Sequence, residues 1–153
     1  MTADEIREPT ADNRMVGFPY TKAMNSNWDL DQGAALLLCS AGAAEAAGVD
    51  RDRWVFPHAG TDAHDTYAVT NRRDLHSSPA IQAAGARLFD ITGTGPDDLA
   101  HIDLYSCFPS AVQIGAAELG LGLDRQLTVT GGLCFAGGPL NNYVSHSIAT
   151  MVD

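Results

Sequence analysis

Near its end the chain runs Leu127-Thr128-Val129-Thr130 into the pair Gly131-Gly132, crosses Leu133-Cys134-Phe135-Ala136, and reaches a second pair, Gly137-Gly138, followed by Pro139. No other stretch constrains the fold as much. The β-branched run reads as a short strand, and two glycine pairs so close together demand positive φ or a close backbone approach that side chains would block. Proline suits the first helical turn, because its fixed φ fits there and its missing amide has no helical partner. Residues 139–152 are therefore expected as a helix whose first amides face outward and suit an anion or a developing oxyanion. Gly131, Gly132, Gly137 and Gly138, with Asn141 and Asn142 just inside that helix, are the candidate ligand-binding residues. Both asparagines are poor helix formers in a first turn and are free to bond a ligand or a neighbouring loop.

Upstream, extended and helical signals alternate. Residues 1–32 are polar and aperiodic, so they read as an extended lead-in to a domain spanning 33–153. Residues 34–39 form an apolar run of strand length, after which Ser40 caps an alanine-rich helix stopped by Gly48. A second strand is expected at 54–56, ended by Pro57, and then a long polar connection through residue 77. Ser78-Pro79 opens a helix to about Leu88 or Phe89, and Pro96 a further short turn. Residues 102–105 read as a strand, and Pro109 opens a helix with Val112, Ala116 and Leu119 on one face before Gly120. Strand-helix alternation of this kind predicts an α/β layered fold with covered central strands.

Charge removes one class of function. Nine basic residues against 19 acidic ones give a formal net charge of -10, with Lys22 the only lysine, so the clustered cations that bind a phosphate backbone are missing. Nucleic acid is not an expected partner. No apolar run reaches the ~18 residues that cross a bilayer, and no signal peptide opens the chain, so no membrane partner and a cytoplasmic location are expected. Three irregularly spaced cysteines, Cys39, Cys107 and Cys134, argue against a disulfide framework and read as small buried residues.

Three segments, taken in order, resemble the thiolase superfamily. Residues Asn25-Ser26-Asn27-Trp28-Asp29-Leu30-Asp31-Gln32-Gly33 resemble its Asn-Ser block, and His101-Ile102-Asp103-Leu104-Tyr105-Ser106-Cys107-Phe108 the block that reads His-Asp-Cys-Phe in the sterol-carrier-protein type. Gly131-Gly132 through Gly138-Pro139-Leu140 resembles the Gly-Gly to Gly-His-Pro block. The nearest likeness is to sterol-carrier-protein-type thiolases and to actinobacterial thiolase-like proteins akin to acetyl-CoA acetyltransferases. What the resemblance implies is a layered α-β-α fold with a mixed sheet, an acyl-CoA partner in lipid metabolism, and no cofactor beyond a coenzyme A thioester as substrate or ligand.

The same resemblance implies a C-terminal half incomplete at its own C-terminus. The family's nucleophilic cysteine belongs to the other half, and its Cys-x-Gly cysteine lies further on. Gly138 stands where the family has the activating histidine, and Tyr105 where an Asn or His holds a catalytic water. Glycine cannot act as a base, so ordinary Claisen chemistry is not expected. Tyr105, Tyr143 and His146 are the candidate catalytic groups that remain. A phenol can bond a carbonyl or move a proton, although a satisfied buried tyrosine is the plainer reading, and His146 lies about 12 Å along the helix from Gly138. His58, Asp62, His64, Asp65 and His76 match no metal-site spacing and read as a polar loop. The expected roles are a thiolase-like half-chain contributing to a coenzyme A thioester site, an active acyltransferase or retro-aldolase completed by a partner chain or a second copy, or a structural subunit.

Overall fold

Most helix starts follow the punctuation of the sequence in the computed structural model, which describes residues 1–153. The first helix, α1, is Ala3–Arg7, and α2 is Ala41–Ala46, whose Ser40 hydroxyl accepts from the Ala43 amide at 3.2 Å. Helix α3 spans Pro79–Thr92, with the Ser78 hydroxyl accepting from the Ile81 amide and Gly93 closing it at φ 67°. Pro109–Leu119 forms α4, closed by Gly120 at φ 70°. A left-handed residue satisfies the last carbonyls of a helix, and glycine enters that region without a Cβ penalty.

Helices α3 and α4 pack against each other at Gly85, where a Cβ would fall on the Leu119 side chain. The core lies beneath α4. Ile102, Ala116 and Leu121 are buried there, with Leu99, Leu104, Leu119 and Leu127 around them. Of the face expected on α4, Ala116 and Leu119 thus meet the core. Arg125 clips its rim by donating to the carbonyls of Pro96 at 2.7 Å and Leu99 at 2.6 Å. The fold is α/β and rich in helix.

The strands differ from expectation. Residues 34–39, 54–56 and 102–105 have no regular secondary structure and 127–130 ends in a bend; none forms a ladder, and the mixed sheet is not present. A strand is defined by a partner for its amides and carbonyls. Here the Leu104 amide donates to the Leu127 carbonyl at 2.9 Å, while Leu37 is 92% exposed with no neighbouring strand against it.

The single sheet lies in the segment read as an extended lead-in. Strands β1, Met15–Gly17, and β2, Tyr20–Thr21, pair antiparallel and pack beside α1. Buried Asn13 holds this unit together. Its amide nitrogen donates to the carbonyls of Glu5, Ile6 and Glu8 within 3.2 Å, and its oxygen accepts from the Ala23 amide at 2.9 Å. Thr21, fully buried, donates to the Ile6 carbonyl. Asn13 is a clamp, because its short amide reaches backbone groups on both sides.

The last helix, α5, is Tyr143–Val152 and starts four residues later than Pro139. Asn141 has φ 60° and Asn142 lies outside helical space, so residues 139–142 turn before the helix begins. The two asparagines therefore precede the helix. No helix is long and apolar enough to cross a membrane.

Asn13→Ala takes the side-chain partner from the Glu5 and Glu8 carbonyls and the Ala23 amide, leaving the Ile6 carbonyl to Thr21, and each unsatisfied buried group costs about 1–3 kcal/mol. The expected result is rapid hydrogen exchange at the Ala23 amide and loss of order in residues 2–25, with exchange in α3 and α4 unchanged.

Candidate functional site

The three segments that carry the resemblance meet in space. The Ser26 amide donates to the Cys107 carbonyl and the Asn27 amide to the Leu133 carbonyl, both at 3.1 Å, and the Gly138 amide returns to the Asn27 carbonyl at 2.7 Å. Gln32 adds a side-chain bond to the Ala136 carbonyl at 2.8 Å. The Leu133 amide, in turn, donates to the Ser106 hydroxyl at 3.2 Å. Residues 26–32 are thus threaded between the other two segments.

This threading explains the glycines. Gly131, Gly132 and Gly137 have φ of 94°, 85° and 97°, a region that side-chain-bearing residues rarely enter. A Cβ on Gly132 would also press on Ser106, and one on Gly137 would meet Leu30 and Gln32. Gly138 needs no unusual φ. Its constraint is space, since a Cβ there would fall on the Ser26 hydroxyl and crowd Leu133, itself 1% exposed. Gly132, Gly137, Gly138 and Pro139 are buried, whereas Gly131 and Asn141 are exposed and Asn142 is half-buried. The amides expected to face outward beyond Pro139 are replaced by a turn in which the Asn142 amide bonds the Pro139 carbonyl.

The two candidate tyrosines occupy different surroundings. Tyr143 is 3% exposed, and its hydroxyl donates to Asp103 Oδ2 at 2.9 Å while sharing a 2.8 Å bond with Thr130. Burial, reinforced by the Asp103 carboxylate, pushes this phenol above its ordinary range. Tyr105 is 55% exposed and sets its ring edge-on to that of Tyr143, with centroids 5.6 Å apart. Its phenol is the accessible one.

Asp103 went unremarked as a site residue in the sequence. Its Oδ1 accepts from the Thr128 hydroxyl at 2.7 Å and the Val129 amide at 3.0 Å, so with Tyr143 it ties the 102–105 segment to 127–130 and to α5. The signal was polar residues set inside short apolar runs, Asp103 within 102–105 and Thr128 and Thr130 within 127–130. Asp103 and Tyr105 also line a cleft of about 470 Å³ between α3 and α4, together with Arg72, Leu75 and Ile114.

His146 is half-buried and its Nε2 lies 3.5 Å from the Asn142 side-chain nitrogen Nδ2, apart from Tyr105 in sequence and contacts. Cys134 is half-buried near the Ser106 carbonyl, and burial followed by the neighbouring Cys107 raises its thiol above the ordinary value, against a reactive thiolate. In the polar connection, Asp65 accepts from Ser78 and from the Ala80 amide and so pins the loop to the start of α3. The Ser78 hydroxyl, followed by the Ala80 amide, lowers its pKa. His64 bonds Tyr67 and His76 approaches Asp74, and no three of these loop residues gather at metal-binding separation.

The fold is thiolase-like. Over 99% of its length, at 39% identity and a TM-score of 0.89, the chain is similar to the crystal structure of a monomeric SCP2-thiolase like protein type 1 from Mycobacterium smegmatis. The resemblance to sterol-carrier-protein-type thiolase-like proteins is thereby shown. The chain spans 34% of that protein's length. No family model and no curated protein matches it.

Tyr143→Phe removes a donor to a carboxylate, which costs about 1–3 kcal/mol. Because the folded phenol titrates above the unfolded value, its stabilisation is complete below an ordinary phenol pKa of about 10 and fades as pH rises through the folded value. Urea unfolding should show the variant's deficit in full at about pH 8 and a smaller deficit near pH 11.

Proposed function

We propose that this chain forms one wall of a coenzyme A thioester site in a thiolase-like protein and does not hold a complete Claisen set by itself. The observation that carries the reading is the convergence of segments 26–32, 105–107 and 132–138, distant in sequence and stapled by backbone hydrogen bonds. Elements from several parts of a chain, fixed by main-chain bonds, give the rigid support that a thioester site needs. Within this wall Tyr105 is one exposed group that can meet ligand, as a hydrogen-bond donor. Tyr143 and Asp103 hold the backbone behind it. Gly138 supplies no base, so the chemistry open to this chain alone is binding and polarisation of a carbonyl.

A second reading is favoured by one observation. Leu37 and Leu38 are 92% and 77% exposed, and Val55 and Phe56 are exposed as well. Apolar surface of this extent marks an interface. On this reading further polypeptide covers these runs and completes an acyltransferase or retro-aldolase. The incomplete thiolase C-terminal domain, with acyl-CoA as partner, belongs to both readings.

Binding should be tested by melting the chain with acetyl-CoA. A ligand at about 100 times its Kd adds about 2.7 kcal/mol to stability, so a saturable rise in melting temperature is expected. Tyr105→Phe should shrink that rise and leave the ligand-free melting point unchanged, because the phenol is exposed. A cooperative melt with no rise at saturating acetyl-CoA counts against the wall reading and for a site completed elsewhere.

A further inference from the structure

We propose that the Ser26 hydroxyl is the polar group this site presents in the space where a side chain on residue 138 would stand, and that it donates a hydrogen bond to the carbonyl of a bound thioester. The ligand half of this proposal rests on the thioester reading above; the space half stands on geometry alone. Gly138 is not held to glycine by its φ, unlike its neighbour Gly137 at 97°. What excludes a side chain there is occupancy: the place of its Cβ is filled by the Ser26 hydroxyl, with Leu133 atoms 3.1 and 3.3 Å away on the other side. Residues 26 and 138 therefore share one volume, and only one of them can use it.

Ser26 is well suited to hold a polar atom there. Its backbone, not its hydroxyl, makes the bonds that fix it: its amide is tied to Cys107, and the adjoining Asn27 is tied to both Leu133 and Gly138. Ser26 is half-buried, so the hydroxyl keeps access to a ligand. A donor fixed in advance, in a partly desolvated place, loses little on binding a carbonyl oxygen. An alcohol is too weak a base to take up a proton, which confines the role to donating a hydrogen bond and positioning the carbonyl.

Two measurements test the proposal. In the first, Gly138→Ala should lower the melting temperature by several degrees, and Ser26→Gly in the same chain should recover at least half of that loss. An equal loss in both backgrounds overturns the shared volume. In the second, acetyl-CoA is compared by calorimetry with ethyl-CoA, a thioether that lacks the carbonyl. Ser26→Ala should weaken acetyl-CoA about five- to tenfold, the worth of one net hydrogen bond, and leave ethyl-CoA unchanged. Equal acetyl-CoA affinity in the variant and the parent chain, or a parallel loss for both ligands, overturns the donor role. If the parent chain binds neither ligand, the thioester reading fails and the donor role with it, while the melting cycle still decides whether residues 26 and 138 exclude each other.

Discussion

The 2.7 Å hydrogen bond from the Gly138 amide to the Asn27 carbonyl, with the Asn27 amide on Leu133, closes a small ring of backbone around which the site is arranged. Main-chain groups buried in a contact must be paired, and here each segment satisfies the others. Side chains are excluded wherever the strands of this ring come closest. That is why Gly132, Gly137 and Gly138 are buried under Ser106, Leu30, Gln32 and Ser26. The glycine pairs serve packing between chain segments before they serve any ligand.

A second, separate lock fixes the other side of the site. Asp103 takes bonds from Thr128, Val129 and Tyr143, so one carboxylate joins three pieces of chain. Tyr143 is absorbed in that lock, and Tyr105, just beyond Asp103 in the chain, is left as the phenol with access to solvent. The division between a structural and an accessible tyrosine is thus set by burial, not by residue type.

Local chemistry was legible in the sequence and partnership was not. Ser40, Ser78 and Gly120 mark helix ends through groups a few residues away, so α2 and α4 fall where expected and α3 starts where expected, running on past Phe89 to Thr92 before Gly93 closes it. Residues 34–39 and 54–56 have strand composition, but pairing depends on what lies beside them, and composition is silent on that. The order of residues 2–25 went unseen because Asn13 works through bonds to Glu5 and Ala23, which a polar, aperiodic stretch does not announce. Pro139 misled for a related reason: Asn141 at positive φ makes a turn where the proline alone implied a helix. The site segments were recognisable as motifs, while the volume shared by Ser26 and Gly138 could be seen only once they were brought together.

The ring of staples around Asn27 also bears on the order in which the molecule assembles. Its bonds join residues 26 and 107, 27 and 133, and 32 and 136, so each closes a loop of many tens of residues. Loop closure is an entropic cost met before such contacts give anything back, whereas the helices and the Asn13 clamp need only near neighbours. The site therefore comes together last, and it is the first part to dissolve when the balance tips. A chain with its helices intact and this ring open would keep most of its helical signal and none of its binding wall.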